Sequence, residues 1–178
     1  MGSPRVSALR FVTFDNRNTQ GVKIEVYYTG KTTEKYLRTG EEIYQRRLSH
    51  YLPISFTVLP DIRQAGKLSS EKLTEREGAN LLAKINPDDR LVLLDESGKS
   101  YRSVDFASWL EGELHRPARR LVFAVGGAFG FSPDVYTRAD HLLRLSSMTF
   151  SHQMVRLFFT EQLYRAMTIL RNEKYHNE

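Results

Sequence analysis

The sequence predicts an α/β fold, a parallel sheet with helices on both faces. Short β-branched or aromatic runs alternate regularly with segments of helical periodicity, as in successive strand–helix–strand units. One segment, residues 90–94 (RLVLL), is a short apolar run after its first residue, as in a strand buried on both faces. At 178 residues the chain can bury one substantial core and is short for two.

Taken in order, residues 22–28 (VKIEVYY) form a strand that Gly30 ends. Residues 33–51 are helical, with Tyr36, Leu37, Ile43, Tyr44 and Leu48 on one face. A second strand, 54–59, stops at Pro60, and the polar stretch 61–67 is a loop. Residues 69–85 make the second helix, ending before Asn86-Pro87. The buried strand 90–94 follows, and residues 95–99 (DESGK) turn the chain. Ser103 caps a helix to about His115, with Asp105 in its first turn. Strand 120–125 leads into a glycine loop, 126–131. Ser132-Pro133-Asp134 then starts a short helix, with a cap, a proline at the first position and an acid. Residues 141–145 are a fifth strand. The last helix, 153–171, is apolar almost all round and needs burial on more than one side, part of it against a second copy of the chain.

There is no cysteine, so disulfides, thiolate metal sites and a cysteine nucleophile are excluded. No apolar run reaches the length of a membrane span. Residues 1–21 lack the apolar core of a signal peptide. They read as a disordered extension, a tag remnant or an upstream-start artefact, leaving 22–178 as the single domain. The net charge of +5 is uneven: +2 over residues 1–21, −1 over 22–113 and +4 over 114–178. An anionic partner such as RNA explains that skew. An ordinary solvated basic surface explains it equally well.

Polar residues not absorbed by the core gather in the last third. Ligands in open α/β sheets bind beyond the carboxyl ends of strands. The glycine loop (GGAFGFS) and the segment LSSMTFSHQM from Leu145 both follow strands, so together they outline a cofactor cleft. The glycine order G-G-x-x-G matches neither a dinucleotide fingerprint nor a phosphate-binding P-loop, and a tight strand-to-helix turn also accounts for it. Residues 95–99 either present backbone to a ligand or form a plain surface turn. Ser146, Ser147 and Thr149, interleaved with Met148 and Phe150, suit an adenine-like ring with polar edges, while Ser151 is open to being a helix cap only. Glu161 and Arg165 have the spacing of an intrahelical ion pair. Lys174, Tyr175 and His176 belong either to a frayed tail or to a lid over an RNA base.

The motifs VKIEVYYTGKT, LLDESGK, VFAVGGAFGFS, LSSMTFSHQMVRLFFTEQLYRA and NEKYH run from Val22 to His176. In this order and spacing the chain resembles the bacterial large-subunit ribosomal RNA pseudouridine N3-methyltransferases, of the SPOUT or α/β-knot class. The last three motifs are the specific ones. The resemblance implies a C-terminal deep trefoil knot and S-adenosylmethionine as cofactor, bound by Leu94, Gly126, Leu145, Ser146, Ser147, Met148, Thr149 and Phe150. It also implies a homodimer through the last helix, acting in the cytoplasm without metal or membrane. The substrate would be a pseudouridine in helix 69 of large-subunit rRNA on the assembled ribosome. Tyr175 and His176 would be catalytic, with His152 and Glu161 as weaker candidates. Arg144, Arg156, Arg165, Arg171 and Lys174 would be candidates for phosphate contacts. Asn177 stands where such tails often carry a base. The alternatives are a non-catalytic RNA-binding or ribosome-associated protein on the same basic face, and a doubly wound nucleotide enzyme. The glycine order disfavours the second.

Overall fold

The computed structural model describes residues 22–176. The extension expected at residues 1–21 lies outside them, as does Asn177. Among these residues five strands and five α-helices alternate: β1 (Lys23–Thr29), α1 (Lys35–Leu48), β2 (Ile54–Leu59), α2 (Ser70–Leu82), β3 (Arg90–Ser100), α3 (Ser103–Leu114), β4 (Arg120–Val125), α4 (Pro133–Arg138), β5 (His141–Arg144) and α5 (His152–Leu170). The strands form one sheet in the order β2-β1-β4-β3-β5, every neighbouring pair parallel.

Alternation along β1 splits the core. Ile24, Val26 and Tyr28 face the side covered by Leu48 of α1, Phe106 and Leu110 of α3, and Phe159, Leu163 and Met167 of α5. Tyr27 faces the other side with Leu91, Leu93 and Val122, beneath Leu81 of α2 and Val135 of α4. Leu91, Val92 and Leu93 are fully buried, as an uninterrupted apolar run in a central strand requires.

Several boundaries differ from the sequence expectation. Helix α1 is shorter at both ends than 33–51, and a 3-10 turn (Ala65–Lys67) interrupts the stretch read as loop. Ser69 caps α2 by accepting from the Lys72 amide. Ser103 caps nothing: it is the first helical residue, and Arg102 occupies the cap position. Ser132 occupies its cap position without a side-chain cap bond.

The largest correction concerns residues 95–99. They do not end the strand. Leu94 and Lys99 both pair with Leu143, so the intervening residues bulge out and β3 resumes beside β5. Gly98 makes this possible. A Cβ there would sit 2.6 Å from both the carbonyl carbon of Leu142 and the amide nitrogen of Leu143. Backbone cannot yield to a methyl group as a side-chain tip can. Substituting Gly98→Ala should therefore cost about 1–3 kcal/mol, read as a lowered urea midpoint with an unchanged m-value.

Candidate functional site

Strand register places three loops together. Leu94 pairs with Val125 of β4 on one side and with Leu143 of β5 on the other. The chain therefore departs from the sheet at one level three times: into the β3 bulge at Asp95, out of β4 through Gly126, and out of β5 just after Arg144. Between these exits lies a cleft of about 440 Å³, lined by Leu94, Gly130, Tyr136, Leu145, Ser146 and Met148–Phe150 among others. A second lobe of about 250 Å³ continues beneath Gly126, Gly127 and His152. Leu94, Phe150 and Val155 line both.

The chemistry of the lining is mixed. Leu94 and Val155 form an apolar wall, Phe150 packs on Phe158 with ring centroids 4.9 Å apart, and Ser146 and Thr149 supply hydroxyls. The glycine loop presents backbone. A Cβ on Gly126 would approach the Gly130 carbonyl oxygen to 3.0 Å and the Phe131 ring to 3.3 Å. An apolar slot with a few convergent polar groups and exposed backbone fits a nucleoside-bearing ligand. Ser147 does not line the cleft; Ser146 Oγ instead accepts from the Met148 amide at 2.9 Å and shapes the turn.

The start of α5 is held from below. Ser151 caps it by accepting from the Met154 amide. Arg156, one turn later, is completely buried. Its guanidinium donates to the Thr29 carbonyl at 2.6 Å, the Gly30 carbonyl at 3.0 Å and Thr32 Oγ1 at 3.0 Å. It also sits 5.3 Å from the Tyr28 ring centroid. Thr32 passes the network on by donating to Glu41. Burial holds the Glu41 carboxyl above its ordinary pKa against the Thr32 hydrogen bond and the Arg156 charge. Arg156 is thus an internal clamp, unavailable to phosphate.

Two residues missing from the expected site border the cleft. Asp95, at the bulge, accepts from the Ser97 amide at 2.9 Å, from the Ser97 hydroxyl and from the Tyr136 hydroxyl. Burial pushes its carboxyl up, but these hydrogen bonds outweigh burial and leave the pKa below its ordinary value. The Tyr136 phenol is pushed up to about 12 by burial and by Asp95. The signal for Asp95 was its place immediately after the apolar run of residues 91–94. Tyr136 lies on a short helix that gave no such cue.

The tail is docked elsewhere in its own chain. Tyr175 donates to Glu161 at 3.0 Å, lies 3.2 Å from the Tyr44 hydroxyl, and packs edge-on to Tyr164. The Arg165 guanidinium donates to His176 Nδ1 at 3.3 Å and pairs with Glu161 at 2.8 Å, the ion pair that the spacing predicted. Glu161 stands nine residues beyond His152, about 13 Å along the helix axis. Neither Tyr175 nor His176 lines the cleft of the same chain. His152 does line the second lobe, and burial together with the Arg156 charge lowers its pKa. Of the remaining bases, Arg144 donates to Ser100, Arg171 donates to the Tyr51 carbonyl, and Lys174 is exposed.

Residues 22–176 match the family described as Predicted SPOUT methyltransferase. The chain belongs to the SPOUT methyltransferase family. A ribosomal RNA large subunit methyltransferase H from Porphyromonas gingivalis (strain ATCC 33277) is 49% identical over 157 residues, covering 88% of this chain and 100% of the relative. The proteins of that name from Parabacteroides distasonis and Flavobacterium johnsoniae are 48% and 45% identical with the same coverage. Among the described residues of this SPOUT chain, no helix is long and apolar enough to cross a membrane, and no cluster of three or more His, Cys, Asp or Glu could hold a metal ion.

Removing the clamp should be costly. Arg156→Met leaves the Thr29 and Gly30 carbonyls without their donor, and the expected loss is about 2–4 kcal/mol of unfolding free energy. Urea denaturation of the variant beside the unchanged chain measures it.

Proposed function

We propose that this SPOUT protein methylates large-subunit ribosomal RNA from S-adenosylmethionine, at N3 of a pseudouridine in helix 69 on the assembled ribosome. The observation that carries the reading is the shared level of the three strand exits, which makes one nucleoside-sized cleft in a chain whose full-length relatives bear an rRNA methyltransferase name. Residues 22–178 then act as a single methyltransferase domain in the cytoplasm, where the ribosome is.

When bound, S-adenosylmethionine supplies an already activated methyl group on a sulfonium sulfur. The protein's main task is alignment. Backbone at Leu94, Gly126 and Leu145–Phe150 would hold the cofactor, with the Met148 and Phe150 side chains flanking its base. In the same reading the segment after β5 threads a trefoil knot, one of the known exceptions to unknotted connections. Its support is that α5, following the edge strand, returns to pack on β1 and α1.

The tail completes the site from a second copy of the chain. Its support is the distance in one chain between the docked tail and the cleft, together with the apolar surface that α5 leaves partly open at Phe158. A neutral imide nitrogen is a poor nucleophile, so the N3 proton must leave, passing to solvent water. Arginine has only donors, so His176 Nδ1 accepts from Arg165 and the ring Nε2 carries the hydrogen. This arrangement brings a ring N–H, held in place by the Arg165–Glu161 ion pair, to the target base, where its hydrogen bond favours the N3 anion. The Tyr175 hydroxyl, whose pKa burial and its bonds to Tyr44 and Glu161 raise, stays protonated and positions rather than abstracts.

Incubating ribosomes that lack the modification with methyl-labelled cofactor tests the reading. Label should appear at one pseudouridine of the large subunit, and ribosomes left unlabelled by the unaltered chain would overturn it. A chain ending at Glu173 should lose transfer by at least about 100-fold, the lower range for a missing acid–base group, while cofactor affinity stays nearly intact. Retained turnover would remove the tail from the mechanism.

A further inference from the structure

The cleft carries a charge pattern that cofactor binding through backbone leaves unused. Asp95 and Glu96 both line it. The one basic side chain on the lining, Arg144, is tied through Nε to Ser100 Oγ at 2.8 Å. Among the described residues the lining of the cleft therefore carries two carboxylates against one guanidinium, a small negative excess in a chain whose net charge is +5. Asp95 is also held in place: one carboxylate oxygen takes the Ser97 amide and hydroxyl, and the other takes the Tyr136 hydroxyl from across the cleft. Each oxygen has two lone pairs, so the Tyr136-bonded oxygen keeps acceptor capacity. The carboxylate stays ionised at any working pH, its pKa lying below the usual value.

We propose that Asp95, latched by Tyr136 and assisted by Glu96, is a specificity-determining residue that makes the cleft prefer the methyl donor to its demethylated product. The inference rests on the cofactor reading above and deepens it. S-adenosylmethionine carries a sulfonium cation, and S-adenosylhomocysteine carries a neutral thioether in its place. The two share their base, ribose, ammonium and carboxylate, so shape and hydrogen bonding through the strand-exit loops cannot separate them by much. A fixed negative charge can. It attracts the cationic donor while the chain's overall positive charge opposes it, and that attraction is absent for the product, which leaves more readily.

Calorimetric titration of the full chain with each compound in turn gives the test. Asp95→Asn keeps the size and most of the Ser97 turn but removes the charge. Because the carboxylate is partly exposed, the expected effect is a loss of about fivefold in affinity for S-adenosylmethionine, with S-adenosylhomocysteine changed by less than about twofold. Tyr136→Phe leaves the charge in place but frees it from its latch, and should lower the preference for the donor by less than Asp95→Asn does. The unaltered chain provides a control independent of folding defects: raising the salt concentration should weaken donor binding and leave product binding nearly unchanged. Equal losses for both compounds in Asp95→Asn, no loss for either, or equal salt dependence would overturn the proposal. Failure of the unaltered chain to bind either compound would instead sink the cofactor reading itself.

Discussion

Arg156 is the constraint on which the candidate site depends. A guanidinium with no exposure must have its hydrogen-bonding capacity met, or its burial is prohibitive. Here the carbonyls at the end of β1 meet most of that need, with Thr32 and the face of Tyr28. The direction of constraint is mutual. The strand end gains donors for the Thr29 and Gly30 carbonyls, and the first turn of α5 becomes fixed relative to the sheet. Phe150, Ser151 and Val155, which wall the cleft, stand within one or two turns of that anchor. Thr160 reinforces it by bonding both the Arg156 carbonyl and the Tyr28 hydroxyl, which lies 132 positions away in sequence.

Sheet register does the complementary work on the other wall. Because Leu94 pairs with both Val125 and Leu143, three loops that are remote in sequence share one rim. The bulge after Leu94 then lets β3 continue past β5 while pushing Asp95 and Glu96 towards the cleft. Polar networks at the opposite end of the sheet have a different character. Arg120 pairs with Asp89, Arg90 pairs with Glu113 and Asp140, and Arg138 bonds both Asp140 and the Asp89 carbonyl around the amino ends of β3 and β4, where they stitch strand starts to adjoining turns. The two ends of one sheet thus divide into a closed structural network and an open ligand cleft.

Most of the architecture was legible in the residues. Length distinguishes α5 from β3: an apolar run of four, residues 91–94, suits a strand, whereas 19 residues with Phe159, Leu163 and Met167 on one side suit a helix. The glycine loop and the segment from Leu145 were placed by the rule that ligands gather at strand carboxyl ends, whereas Leu94, Gly126 and Leu145–Phe150 as cofactor contacts came from the family resemblance. What stayed hidden depended on pairing across long separations. Nothing local in DESGK distinguishes a turn from a bulge; the difference lies in whether β5 is there to receive Lys99. Arg156 reads as one more base on a helix, and only the arrival of two carbonyls from β1 turns it into a clamp. Tyr136 finds Asp95 across 41 positions, a partnership no pattern within α4 announces. The tail motif was legible as a motif, but its docking on Tyr44, Glu161 and Arg165 was not.

A crystal structure of the protein with S-adenosylmethionine tests the central claim most directly. The adenosyl group is expected between the backbone of Leu94, Gly126 and residues 145–150, with Arg156 still bonded to Thr29 and Gly30 beneath it. Density for the cofactor at any other surface, or a cleft closed by its own side chains at saturating cofactor, would contradict the idea that three aligned strand exits make the binding site.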